Sequence, residues 1–229
     1  MYVLWFEKGE YKVLYKAIPA PLATILKHIR GLPLPDGTYL AGGTALAIYL
    51  GHRISVDVDL FTEKEFYCNP IISSLRGLYP VEVINLAEKD TLIANVNNVR
   101  FSLFKYAYPL LDTLYYNTDF NINLASPTDL AAMKVVALVQ RGTAKDFVDL
   151  KAIISAYNIS LEYLIGQTQK KYGVSAGYGY QIKKSLVFFD DAVKSLGEVT
   201  MMKDNVAVRM TIEEWNKVEG FFKEFVVVG

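Results

Sequence analysis

The glycine pair Gly42-Gly43, followed by Thr44-Ala45-Leu46, constrains this chain most when read with the acidic segment Arg53-Ile54-Ser55-Val56-Asp57-Val58-Asp59-Leu60-Phe61 downstream. Two glycines after a short apolar strand let the backbone approach a ligand closely. The helix that follows offers unpaired N–H groups and the positive end of its dipole to a phosphate. Residues two apart on a strand share a sheet face, so Asp57 and Asp59 stand about 6.6 Å apart along the chain at ~3.3 Å per residue. Val56, Val58 and Leu60 then take one face, and Asp57, Asp59 and Phe61 the other. Acids are depleted from strand interiors. Two carboxylates on one face can converge on a divalent cation. The combination predicts an enzyme that handles a nucleoside triphosphate with Mg²⁺ or Mn²⁺. It lacks the Gly-x-x-x-x-Gly-Lys-Ser/Thr pattern of a P-loop.

Other residues extend this site. Arg53 leads into the acidic segment, where it either neutralises phosphate or bridges to Asp57 or Asp59. His52 reads as a loop residue, because no second His or Cys stands at ligand spacing. Lys134 lies in the apolar run LAAMKVV, and Arg141 is two helical turns further on the same face. Asp146 and Asp149 are i, i+3, while Lys145 and Asp149 are i, i+4. These charges form either a solvated face with ordinary ion pairs or a basic wall for a triphosphate. The tyrosines at Tyr106, Tyr108, Tyr115 and Tyr116 read as packing rather than as a base-stacking platform, and Asp190-Asp191 as a cap or solvated pair.

The 229 residues suffice for one large domain or two small ones, and 52% hydrophobic against 21% charged residues favours a folded chain. Basic and acidic residues balance to zero net charge, so bulk attraction to nucleic acid is not expected. One cysteine, Cys68, excludes an intramolecular disulfide and fits a reduced, cytoplasmic setting. Met1 to Lys16 lacks the basic-then-apolar pattern of a signal peptide. No apolar run reaches the roughly 20 residues of a membrane-spanning helix.

The pattern predicts an α+β chain with a mixed sheet. Helices are expected at 19–30, 44–50, 66–78, 126–140, 143–157, 160–171, 178–196 and 211–225. Strands are expected at 38–41, 55–61, 81–86, 91–96 and 99–105, with Asn97-Asn98 as a hairpin turn. Ser126-Pro127-Thr128-Asp129 carries the cap, first-turn proline and acid of a helix start. The division falls near 107–125, giving an α/β domain over 1–108 and a helical region over 109–229.

The run LAGGTALAIYLGHRISVDVDLF (Leu40 to Phe61) resembles the AbiEii-type nucleotidyltransferases, toxins of type IV toxin–antitoxin and abortive-infection systems. So do SPTDLAAMK (Ser126 to Lys134), RGTAKDFVDL (Arg141 to Leu150) and SLVFFDDA (Ser185 to Ala192), in the same order. The resemblance implies a polymerase-β-like fold with a helical C-terminal region. It also implies Mg²⁺-dependent transfer of a nucleotide from an NTP to an acceptor hydroxyl on RNA, protein or a small molecule. A cognate antitoxin is the partner it suggests. Carried over by position, Gly42, Gly43 and Thr44 hold triphosphate, with Arg53 in support. Asp57 and Asp59 bind metal, Lys134 contacts phosphate, and Asp146 is the acid of the Lys-Asp motif. Such transferases usually carry a third carboxylate on a later strand. Here that strand reads Val99-Arg100-Phe101-Ser102-Leu103-Phe104-Lys105, with Ser102 or Arg100 at the expected position and only Asp146 or Glu82 as substitutes. The same fold without catalysis, as a nucleotide-binding or interaction module, is the alternative.

Overall fold

The computed structural model describes residues 15–85 and 87–228. The reading of the N-terminal segment as free of a leader falls on residues 1–14 and lies outside them. A seven-stranded mixed sheet runs in the order β3-β4-β5-β2-β1-β7-β6. Its strands are β1 (Tyr39–Leu40), β2 (Val58–Thr62), β3 (Val81–Asn85), β4 (Thr91–Val96), β5 (Val99–Lys105), β6 (Tyr115–Asn117) and β7 (Ile122–Leu124). β1 is antiparallel to β2 and parallel to β7, while β2 and β5 run parallel. The β4–β5 hairpin turns at Asn97 and Asn98, both at positive φ, as two asparagines allow.

Helix α1 (Ala20–His28) precedes the sheet, α2 (Gly42–Leu50) follows β1, and α3 (Cys68–Arg76) follows β2. The helical part contains α4 (Pro127–Gln140), α5 (Ala144–Tyr157), α6 (Leu161–Tyr172), α7 (Tyr178–Leu186), the single turn α8 (Asp190–Val193) and α9 (Ile212–Val228). Ser126 caps α4 as its sequence predicts, its hydroxyl accepting from the Asp129 N–H at 3.0 Å. Helices α4 and α5 pack on each other and on α2, which joins the helical part to the sheet. Phe147 of α5 meets Phe189, Trp215 and Phe222 at ring-centroid distances of 5.2, 5.7 and 5.3 Å, and this aromatic knot anchors α9.

Three expectations are corrected. The region over 109–229 is not purely helical. β6 and β7 extend the sheet, and β8 (Thr200–Lys203) with β9 (Val206–Arg209) forms a separate hairpin. The helix expected over 178–196 breaks at Val187–Phe189, where Phe189 turns onto Phe147 and Trp215. The strand expected over 55–61 begins only at Val58, because the Asp57 carbonyl is taken by the Thr44 hydroxyl instead of a neighbouring strand. Among the described residues no helix is long and apolar enough to cross a membrane.

Candidate active site

The glycine turn and the acidic segment meet at one end of the sheet. Ala41 is the N-cap residue of α2 and has no side-chain group to cap it, so the first N–H groups of that helix are left to a ligand or to solvent. Gly42 has φ +65°, and a Cβ there would lie 2.6 Å from Asp59 Oδ2. A Cβ on Gly43 would lie 2.1 Å from an Arg53 guanidinium nitrogen. Glycine is required at both positions, because Asp59 and Arg53 occupy the space a side chain would take.

Thr44 is fully buried. Its hydroxyl reaches Ser55 Oγ at 2.8 Å and donates to the Asp57 carbonyl. It therefore fixes the Ser55–Asp57 segment against α2, and the hydroxyl facing the cleft is that of Ser55. Asp57 and Asp59 both line a cleft of about 500 Å³ between the sheet, α4 and α5. Burial and the neighbouring Asp59 charge raise the Asp57 carboxyl above its ordinary range, against the pull of Lys145, Arg100 and Arg53. A hard divalent cation fits beside such a pair, since its charge would offset the Asp59 charge that acts on Asp57. Among the described residues no third His, Cys, Asp or Glu joins them in a group of three. Across from Asp59 in the β2–β5 register stands Ser102, whose hydroxyl donates to Asp59 Oδ1 at 2.7 Å. Glu82 is on β3, three strands from β2, beside Asn95.

The opposite wall is a buried charge network. Arg53 is 5% exposed and grips Asp149 with two nitrogens, Nε at 2.6 Å and Nη2 at 2.8 Å. His52 Nε2 lies 2.6 Å from the same carboxylate. Burial lowers the His52 pKa despite that partner, so the ring is held neutral. Lys134 Nζ sits between Asp149 at 2.7 Å and Asp146 at 3.1 Å. Asp146 also receives a two-nitrogen grip from Arg141, at 2.8 and 2.9 Å, and the Thr143 hydroxyl at 2.7 Å. Burial alone would raise both carboxyls. The Arg141 hydrogen bonds and the Lys134 charge instead bring Asp146 down to about 2, and Arg53 with Lys134 hold Asp149 well below the carboxylate range. Arg53, Lys134 and Arg141 against Asp146 and Asp149 leave this network one cation in excess, while Lys145 is offset by Glu198 and Arg100 stands on the sheet side, on β5.

Of the residues read from sequence, Gly43, Arg53, Asp57, Asp59, Lys134 and Asp146 all line this one cleft, while Gly42 lies on its Asp59 side. Arg53 bridges neither Asp57 nor Asp59; its partner is Asp149, and Lys145 pairs with Glu198 at 3.2 Å instead of Asp149. Ser55 was legible as a same-face neighbour of Asp57. Thr143, Glu198 and Thr200 also line the cleft and carried no sequence signal.

A family model described as Nucleotidyl transferase AbiEii toxin, Type IV TA system, matches residues 24–91 and 99–218. An uncharacterized protein of Aquifex aeolicus is 39% identical over 210 residues, covering 88% of this chain and 92% of its own. Among solved structures, MenT4, a nucleotidyltransferase toxin of Mycobacterium tuberculosis, superposes with a TM-score of 0.51 at 13% identity, over 94% of this chain and 85% of its own. JHP933 of Helicobacter pylori gives a TM-score of 0.51 at 14% identity, over 97% and 93%. The sheet, the glycine turn and these likenesses together give the polymerase-β-like fold. The chain belongs to the AbiEii nucleotidyltransferase toxin family.

Proposed function

We propose that this protein is a divalent-metal-dependent nucleotidyltransferase that moves a nucleotide from an NTP to an acceptor hydroxyl. The observation that carries this reading is the meeting of Asp57 and Asp59 with the uncapped N-terminus of α2 in one cleft whose far wall is positive. Asp57 and Asp59 would hold Mg²⁺ or Mn²⁺, which supplies charge neutralisation at the phosphates and polarises the reacting oxygens. Gly42, Gly43 and the N–H groups of the first α2 turn receive the triphosphate, and Ser55 adds a hydroxyl. Thr44 acts behind them by fixing Ser55. Lys134 and Arg141 present positive charge to the phosphates, while Asp146 and Asp149 hold those cations in place. Arg53 supports the turn from beneath Gly43. This is catalysis by position and charge: an acceptor hydroxyl oxygen bonds to the α-phosphorus, the α-phosphorus–oxygen bond to the β-phosphate breaks, pyrophosphate leaves and the hydroxyl proton passes to solvent.

The family description supports a toxin role with a cognate antitoxin. Ser102 in the place of a third carboxylate favours a second reading, in which the cleft binds Mg·NTP without transferring it. A label-transfer assay with each α-³²P NTP on total RNA and protein, beside calorimetry with Mg²⁺ and NTP, separates the two. Label transfer that disappears in Asp57→Ala and Asp59→Ala supports the enzyme. Binding without transfer supports the module. Full activity in the double variant overturns the site.

A further inference from the structure

The sheet face that carries the two acids changes character along its strands. On β2 this face reads Asp59 then Phe61, with Asp57 in the segment just before the strand, and on β5 it reads Arg100, Ser102, Phe104, continuing to Tyr106 just past the strand end. The parallel register sets Asp59 beside Ser102 and Phe61 beside Phe104. One dyad repeat, about 6.7 Å, therefore separates the carboxylate row from a row of rings. A second cavity of about 330 Å³ opens over these rings, sharing Gly43, Asp59, Phe104, Lys134 and Arg141 with the main cleft. Its far side is formed by Tyr108 and by Tyr172 of α6. Ring pairs at 5.1 Å (Phe61 with Tyr106), 4.9 Å (Tyr106 with Tyr108) and 4.7 Å (Tyr108 with Tyr172) give it a continuous aromatic lining.

This lining is built on a buried support. Lys171, 1% exposed, pairs with Asp129 at 2.6 Å and donates to the Pro109 carbonyl at 2.9 Å. Asp129 in turn accepts from the Leu111 N–H at 3.0 Å and from the Ser126 hydroxyl at 2.6 Å. The segment that carries Tyr108 is thereby tied to α4 and α6. Despite this, the rings are not closed into the core: Tyr108 remains 45% exposed.

The geometry points to this aromatic annex as the nucleobase pocket of the NTP site, an assignment that rests on the triphosphate reading above. If phosphates lie along Gly43, Ser55 and the positive wall, and the metal carboxylates mark the α-phosphate, the nucleoside extends the other way. That way leads past Gly42 and Asp59 onto Phe61, Phe104 and Tyr106. Flat rings stack on aromatic side chains whatever their hydrogen-bonding edge, so the annex favours a base over bare polyphosphate.

Calorimetry with Mg²⁺ and either inorganic tripolyphosphate or the α,β-methylene analogues of the four NTPs tests this on the full chain. The wild type is expected to bind at least one analogue more tightly than tripolyphosphate. Tyr108→Ala, at an exposed position, and Phe61→Leu are each expected to cut that advantage roughly 5- to 100-fold and to leave tripolyphosphate affinity unchanged. Analogue affinity retained in full by both variants overturns the annex alone and points to the acceptor as its occupant. Parallel loss of tripolyphosphate and analogue binding also overturns it. Absence of tripolyphosphate binding by the wild type overturns the triphosphate reading, and the annex with it.

Discussion

Ser102 stands directly across from Asp59 in the parallel β2–β5 pair, and its hydroxyl donates to Asp59 Oδ1 at 2.7 Å. The position across from the second acid is thus filled by a neutral donor that steadies it. Ser102→Asp places a third negative charge there. It is expected to lower the melting temperature of metal-free protein and to enlarge the stabilisation given by Mn²⁺ relative to wild type. Ser102→Ala, which removes only the hydrogen bond, is expected to cost about 1–3 kcal/mol. Thermal melts with and without Mn²⁺ check both.

Asp149 accepts from Arg53 and His52 and pairs with Lys134, all at nearly buried positions. Removing it strands the Arg53 guanidinium without its charged partner. Asp149→Ala is expected to destabilise the protein by about 3–5 kcal/mol, as the loss of one member of a buried ion pair does. Urea unfolding measures this directly. A midpoint shift below about 1 kcal/mol would show that water reaches Arg53 and replaces the carboxylate.

Asp146 titrates at about 2 when folded against an ordinary 3.8. A depressed carboxyl contributes stability that is complete above its unfolded pKa and is lost as the pH falls toward the folded one. The expected loss therefore runs from about pH 4 down to about pH 2. Arg141→Leu removes the largest of the interactions that hold Asp146 down. It is expected to move the acid transition to higher pH, which urea midpoints at pH 5, 4 and 3 resolve.

Gly43→Ala puts a methyl group where Arg53 lies. The guanidinium has little freedom to retreat, since Asp149 holds it by two nitrogens and the Ile54 carbonyl by a third. The variant is expected to fold with a stability loss of about 1–3 kcal/mol and to lose triphosphate binding more than 10-fold. A double variant with Arg53→Ala, which vacates the space, is expected to recover part of the binding lost through the methyl group. Calorimetry on the three proteins provides the comparison.

The sheet strands from 81 to 105 and the long helices were legible because their alternation or periodicity runs over five residues or more. β6 and β7, at three residues each, are too short to show alternation, and they form only because β7 finds β1 as a parallel neighbour. The β8–β9 hairpin did carry a signal: Asp204-Asn205 between two apolar runs, both at positive φ like Asn97-Asn98. In the candidate site, the glycines and Asp57 and Asp59 were readable because their chemistry is local. The partners of Arg53 and Lys134 were not, since Asp149 lies 96 residues from Arg53 and the pairing depends on how α5 docks against α2. Asp129 looked like a helix-cap acid and is one, but its bond to Lys171 on another helix depends on tertiary packing.

The Arg53–Asp149 grip makes the glycine turn the joint property of two stretches distant in sequence. A fragment ending before α4 would keep Gly42, Gly43 and both acids, yet the arginine seated under the turn would have nothing to hold it there. The same cut would keep β7 beside β1 but take away α4 and α5, the two helices that pack on α2. Any attempt to trim this protein to a minimal half around the glycine turn must therefore carry α5 along, because Asp149 of that helix holds the arginine seated under the turn.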